Sequence, residues 1–276
     1  MTEAKPHNRD KAYRIDSGSG FLKALGISSE TGHVKPTMYS KYRQICRFVE
    51  LFMERIERTQ AVGQKRVKVL DIGSGKGYLT FAIYDQLAQA GLNPKIDGVD
   101  TRSEMVDLCN EAAQASSFEN LAFHSLKAEH FAQGYYDAIV ALHACDTATD
   151  DALFYGIKSK SKLIVCAPCC QHEVFVDLQK SETSSRKFIT HGLFLQKQAD
   201  LITDNSRVML LRSQGYQVDV IDFVSTEHTH KNTLIAAVKK GKPSLERLAE
   251  YEAYKREFGF RGIKMERLMK ESGLIS

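Results

Sequence analysis

Residues Val67–Leu79 read Val-Lys-Val-Leu-Asp-Ile-Gly-Ser-Gly-Lys-Gly-Tyr-Leu. The apolar run Val67, Val69, Leu70, Ile72 suits a strand buried in a parallel sheet. It ends in an acid, Asp71, and three glycines at alternate positions, Gly73, Gly75 and Gly77. Glycines so placed allow a tight strand-to-helix turn with a ligand lying against bare backbone. A second short apolar stretch, Ile96-Asp-Gly-Val-Asp100, closes on another acid where a second βα unit should end. A carboxylate there can hold the two ribose hydroxyls of a nucleoside. A dinucleotide-binding Rossmann domain is the competing reading. It expects Gly-x-Gly-x-x-Gly, whereas here the third glycine arrives one residue early.

The two units together resemble the class I S-adenosylmethionine (SAM) methyltransferases, whose first strand ends in an acid and Gly-x-Gly-x-Gly and whose second ends in an acid. Asp71, Gly73, Gly75, Gly77 and Asp100 match that pattern. The resemblance implies an α/β fold: a doubly wound, seven-stranded Rossmann-like sheet with SAM as cofactor. An acid before the first glycine suits SAM, which brings an ammonium there, better than a pyrophosphate.

Beyond this stretch, the 276 residues suffice for one large α/β domain with extensions. The expected organisation is an N-terminal helical extension over 1–62, a methyltransferase domain over 63–240 and a helical tail over 241–276. No stretch is long and apolar enough to span a bilayer, and Met1-Thr-Glu-Ala-Lys lacks an apolar signal region. Six cysteines without a signal peptide argue for reduced thiols and a cytoplasmic location. The net charge of +4 conceals an asymmetry. Residues 1–66 hold 13 basic and 7 acidic side chains, residues 67–238 hold 15 and 21, and residues 239–276 hold 10 and 6. Basic flanks around an acidic core suggest contact with a polyanion such as RNA; solvated helix faces are the plainer reading. Tyr39, Tyr42 and Tyr254 are available for base stacking.

Periodicity predicts a helix from Thr37, its N-cap, to Gly63. Strands are expected near 67–72, 95–99, 121–124, 137–142, 162–166, 217–224 and 233–238. Helices are expected near 77–91, 103–115, 147–157, 173–181, 187–202 and 205–213, and in the tail with breaks at Gly259 and Gly262. Only Ser225–Asn232 separates the last two strands, too short for a helical crossover, so they should pair antiparallel.

Ligands of such sheets lie beyond the carboxyl ends of the strands. That rule selects Asp71, Gly73, Ser74, Gly75, Gly77 and Tyr78 after the first strand. It selects Asp100, Thr101, Arg102 and Met105 after the second, with Met105 against adenine. Strand four ends at His143-Ala-Cys145-Asp146 and strand five at Cys166-Ala-Pro168-Cys169-Cys170-Gln-His172. This pair of tips resembles methyltransferase domain 32, a group of methyltransferase-like proteins with a eukaryotic tRNA ribose methylase among them. The resemblance covers residues 38–240. It implies that Ala128 and Glu129 contact the adenine amino group, with a surface acid at a helix start as their alternative role, that His143 also borders the cofactor, and that both tips meet beside the reactive methyl. His143, Asp146 and His172 are the candidate bases, with structural hydrogen bonds as their alternative role. Cys169, Cys170 and His172 would line the acceptor, with Lys231 and Asn232 of the hairpin loop either beside them or capping the hairpin turn. Cys166-x-x-Cys169-x-x-His172 has metal-ligand spacing, but Cys166 should point into the sheet, so no metal is assigned. A Pro168-Cys169 nucleophile is disfavoured because the preceding tip lacks a matching Pro-Cys pair. The expected function is methyl transfer from SAM to RNA, with a small molecule or protein as alternative acceptor, or SAM binding without turnover.

Overall fold

The computed structural model describes residues 15–59, 66–127, 130, 134–142, 148–168, 172–183, 187–222 and 233–276. Its sheet consists of β1 (Arg66–Ile72), β2 (Asn93–Asp100), β3 (Leu121–Ser125), β4 (Ala138–Leu142), β5 (Leu163–Ala167), β6 (Tyr216–Asp222) and β7 (Thr233–Lys239). The order is β3-β2-β1-β4-β5-β7-β6. β1 to β5 are mutually parallel, and β7 runs antiparallel to both β5 and β6. This is the doubly wound sheet with an antiparallel final pair that the spacing of the elements predicted. Chain direction across the sheet reverses between β1 and β4, so the crevice at the carboxyl end of β1 is its topological switch point.

Alternate residues of each strand feed opposite cores. Val67, Val69, Ile96, Phe123, Val140 and Val165 face one layer, with α2 (Tyr39–Glu57), α3 (Tyr78–Gln89) and α4 (Ser103–Ala115). A short α1 (Gly20–Ala24) packs its Phe21 and Leu22 into the same layer. Leu70, Ile72, Val99, Ile139, Ile164 and Ile235 face the other. That layer holds α5 (Ala148–Lys158), α6 (Glu173–Lys180), α7 (Gly192–Ser213), α8 (Leu245–Phe258) and α9 (Lys264–Glu271).

Two helix expectations need correction. α2 starts at Tyr39 after a 3-10 turn at Pro36–Met38, and Met38, not Thr37, occupies the N-cap, without a side-chain cap. Proline at the first position of the turn sets the start instead. The expected break between 202 and 205 is absent, and α7 is continuous. The polar residues that suggested it turn their hydrogen bonds inward. Thr203 Oγ1 donates to the Ala199 carbonyl and Ser206 Oγ to that of Ile202, both at 2.8 Å, while Asp204 pairs with Arg207 at 3.0 Å. Residues 187–190, expected at its start, precede the helix.

The basic tail turns its charges onto the acidic core. Arg261 reaches Asp177 at 2.7 Å and Lys264 reaches Asp151 at 2.8 Å, and Arg267 pairs with Glu173. Within the tail, Lys255 and Lys270 both converge on Glu266, at 2.6 and 2.9 Å. On the N-terminal flank, Arg55 is buried and pairs with Asp219 of β6 at 3.2 Å. Arg55, Arg261, Lys264 and Arg267 thus form an internal complementarity that holds the extensions to the core. Two of the three tyrosines proposed for stacking are likewise engaged. The Tyr42 hydroxyl donates to the Ile15 carbonyl at 2.7 Å, and Tyr254 packs on Phe258 with ring centroids 4.7 Å apart. Tyr39 is half exposed.

Candidate functional site

The glycine turn is sewn to the end of β2. The N–H groups of Gly73 and Ser74 both donate to the Val99 carbonyl, at 2.8 and 3.1 Å, and that of Gly77 donates to the Ser74 carbonyl at 2.9 Å. Gly73, Gly75 and Gly77 have φ of +75°, +56° and +68°, the left-handed region that favours glycine. At Gly77 there is no room either: a Cβ would lie 3.0 Å from both Phe81 and Phe123 and 3.1 Å from the Cys109 sulfur. Gly77 is the N-cap of α3, so the turn leads directly into that helix.

Asp71 lies on the β1 face toward α3 and is 3% exposed. Burial pushes its pKa up to about 7, against a lowering hydrogen bond from the Thr80 hydroxyl and with a further raising effect from the Asp100 charge. Asp100, at the carboxyl end of β2, accepts from the Gly75 N–H at 2.8 Å and the Arg102 N–H at 3.0 Å. The Arg102 guanidinium also grips it, Nε to Oδ1 at 2.9 Å and Nη2 to Oδ2 at 3.0 Å. Burial alone would raise this carboxyl, but the hydrogen bonds from Arg102 and Gly75 outweigh it and hold it below the usual range.

The structure thus brings Asp71, Gly73, Ser74, Gly75, Gly77, Asp100 and Arg102 around one crevice. Tyr78 opens α3, and Thr101 and Met105 flank the start of α4, exposed and half-buried respectively. His172 is exposed just before α6, beyond the end of β5. Ala128, Glu129, His143, Asp146, Cys169, Cys170, Lys231 and Asn232 lie outside the described residues, as does Cys145. Cys166 is buried in the sheet as expected, its thiol pushed up to about 12 by burial first. Among the described residues no three His, Cys, Asp or Glu side chains converge as a metal site. A cavity of about 860 Å³ lined by Tyr216, Val218, Lys240 and Arg247 opens at the opposite end of the sheet, away from the turn.

Sequence reasoning missed several supports of the crevice. A Cβ on Gly98 would meet the Phe123 ring at 2.5 Å and Ser74 Cβ at 3.2 Å, so this glycine in the middle of Ile96–Asp100 lets the turn close. Asn110 clamps the exposed edge of β3, donating to the Phe123 carbonyl at 3.0 Å and accepting from its N–H at 2.9 Å. Asn110 had no sequence signal, whereas the glycine inside an apolar run was a readable one.

Ser74 Oγ is buried and, among the described residues, has no hydrogen-bond partner. An orphaned hydroxyl at the glycine turn, bare backbone and an ionised carboxylate at the next strand end together fit a polar nucleoside ligand. The sequence profile of a methyltransferase domain, methyltransferase domain 32, matches residues 40–176, about half of the chain and including this crevice.

The chain belongs to the class I SAM-dependent methyltransferases.

SAM is the cofactor of this family, and Asp100, the Gly73–Gly77 backbone and Ser74 are the residues here that fit it. Among curated proteins, the chain is 22% identical over 194 residues to the human glutathione S-transferase C-terminal domain-containing protein, covering 62% of this chain and 30% of that one. The mouse counterpart is 23% identical over the same span. The chain therefore spans about a third of the length of these relatives. Solved structures similar to the methyltransferase include an rRNA methylase from Streptococcus thermophilus, with TM-score 0.44 and 11% identity over 64% of this chain and 89% of that one. A Methanococcus maripaludis protein described as a SAM-dependent methyltransferase has TM-score 0.48 and 14% identity over 89% of this chain and 99% of that one. Precorrin-6y C5,15-methyltransferase from Geobacter metallireducens has TM-score 0.43 and 14% identity over 69% and 88%. Scores and identities this low say nothing about the acceptor.

Among the described residues of the methyltransferase, no helix is long and apolar enough to cross a membrane.

Proposed function

We propose that this methyltransferase moves the methyl group of SAM to RNA. The single observation that carries the cofactor half is the Asp100 carboxylate, fixed by the Gly75 N–H at 2.8 Å beside a glycine turn whose backbone is bare. When bound, SAM supplies an already activated methyl, so the protein's task is chiefly to orient the acceptor and exclude water. Asp100 stays ionised and oriented for the sugar hydroxyls, and Ser74 Oγ offers an unused donor at the turn. His172 stands beyond β5, where it would take the proton of an oxygen or ring-nitrogen acceptor. His143 and Asp146 share that role in the proposal; Cys169, Cys170, Lys231 and Asn232 would border the acceptor, and Ala128 and Glu129 the adenine.

The RNA acceptor is supported by the rim of the crevice. β6 runs parallel to β5, and α7 leads into it through a two-residue turn, so the N-terminus of α7 lies at the carboxyl end of the sheet. There Phe188 is 85% and Phe194 60% exposed, and His191 sits edge-on to Phe194 at 5.8 Å. Lys187 and Lys197 are exposed beside them. Aromatic rings interleaved with lysines suit unpaired bases and their phosphates. The N-terminal flank adds Tyr39 and Arg43, whereas Arg261, Lys264 and Arg267 of the tail are held by core acids and drop out of the argument. We place the protein in the cytoplasm, because Cys46, Cys109 and Cys166 are buried free thiols.

Transfer of labelled methyl from SAM to total RNA, compared with total protein and small metabolites, tests the acceptor. Label in RNA supports the proposal, and label in protein or metabolites replaces RNA with that class. SAM binding with no transfer to any of them would make the chain a binding module. In calorimetry, Asp100→Ala should abolish SAM binding; intact affinity would remove the ribose assignment.

A further inference from the structure

The carboxylate assigned above to ribose already has four donors. Two are backbone N–H groups, of Gly75 and Arg102, which stay in place while the chain is folded. The other two belong to the Arg102 guanidinium. That side chain is 57% exposed, whereas the Asp100 side chain beneath it is 7% exposed. The guanidinium also overhangs the turn: a Cβ on Gly75 would stand 3.4 Å from Arg102 Nη2. It therefore covers both features that identify the crevice, the carboxylate and the bare backbone. A forked pair of donors matched to a carboxylate presents the same pattern as two vicinal hydroxyls. The guanidinium and a ribose cannot hold the same two oxygens together.

We propose that Arg102 competes with the cofactor for Asp100: it closes on the carboxylate in the free protein and swings into solvent when ribose hydroxyls take its place. This rests on the SAM reading above and changes the role expected of Arg102 from contact to competitor. The swing is cheap, because the pair lies at the surface on its arginine side. Glu104, in the first turn of α4, interacts electrostatically with Arg102 and gives it a second carboxylate outside the closed position. The effect on ligands is a uniform one. Apparent affinity falls by the fraction of molecules that are open, for the cofactor and for its demethylated product alike. Closure thus weakens the hold on cofactor and product equally while keeping the carboxylate ionised and aligned.

Calorimetry of the full chain with S-adenosylhomocysteine, the demethylated product, tests this. Arg102→Ala should bind about 2- to 5-fold tighter than wild type, the range expected for removing one exposed ion pair. Arg102→Lys, which keeps the charge but loses the fork, should fall between them. Raising the ionic strength should narrow the gap between wild type and Arg102→Ala, since salt weakens the competing pair. Weaker or unchanged binding by Arg102→Ala, in a variant with wild-type circular dichroism, would overturn the inference and leave the SAM reading intact. No binding by wild type would remove the SAM reading, and this inference with it.

Discussion

The Thr80 hydroxyl of α3 donates to Asp71 Oδ2 of β1 at 2.6 Å, and neither side chain reaches solvent appreciably. This bond joins the strand that carries the glycine turn to the helix that leaves it. It also partly offsets the burial of a carboxylate whose pKa stands near 7.

A pH dependence follows. The folded pKa of Asp71 is raised from 3.8 to about 7, so the folded protein holds a proton that the unfolded chain releases in that window. Stability should fall as pH rises from about 4 to about 7 and be flat above, as far as this residue is concerned. Asp71→Asn should remove that slope in urea unfolding across pH. A cationic ligand beside Asp71 lowers its pKa, so SAM binding just below pH 7 should release protons, detectable as a buffer-dependent binding enthalpy. Thr80→Val strips the carboxylate of its donor and should cost about 1–3 kcal/mol.

Gly98→Ala should distort the crevice from behind. Its Cβ would stand 2.5 Å from the ring of Phe123, a residue stacked on Phe81 at 5.5 Å and held through its backbone by Asn110. The expected loss is about 1–3 kcal/mol of stability, with weaker SAM binding in calorimetry. Gly192→Ala, where no described residue lies within 4 Å of the new Cβ, is the control and should be neutral or slightly stabilising.

Arg207 is fully buried and binds Asp150 through Nε and Nη2 and Asp204 through Nη1, each at 3.0 Å. The triad locks α7 to the first turn of α5, beneath β5. Arg207→Met would strip both buried carboxylates of the guanidinium that neutralises them, and a loss of about 3–5 kcal/mol is expected in chemical denaturation. Asp204→Asn should cost less, because Asp204 is more exposed and Asp150 keeps the bidentate bond.

Glu266 anchors the tail. Its carboxylate accepts from the Tyr251 hydroxyl at 2.7 Å and pairs with Lys255 and Lys270. A Cβ on Gly262, at φ +126°, would lie 2.2 Å from Glu266 Oε2, so the glycine makes room for the acid. Burial would raise this carboxyl, but the bonds from Lys255, Tyr251 and Lys270 prevail and lower it below 4.5. A lowered folded pKa means stability present above the unfolded value and lost as pH falls below it. Glu266→Ala should destabilise by about 1–3 kcal/mol at neutral pH and erase part of the acid-induced loss, as melting curves at several pH values would register.

Legibility in the sequence followed the range of the interactions. α4 falls on Ser103–Ala115 as expected, and each strand lies within two residues of its expected start. Local hydrophobic period and glycine punctuation set those elements. α7 was misread because Thr203, Asp204 and Asn205 look like a break until the Ala199 carbonyl and Arg207 are in reach. The partners of the flank cations were illegible for a similar reason. Arg55 and Asp219 lie 164 positions apart, and Arg261 and Asp177 84, so no window of sequence contains either pair.

By itself the sequence determined the strand-turn-helix unit at 67–79, the second acid at Asp100 and hence the family, because a glycine turn and a strand-end acid are local chemistry. Tertiary structure alone decided what each charged group faces. Arg102 closes on Asp100, Asp71 sinks into the α3 layer, and Arg261, Lys264 and Arg267 of the tail pair with acids of the core. Coulomb energy and desolvation depend on distance and burial in space, and neither is written in the order of residues along the chain.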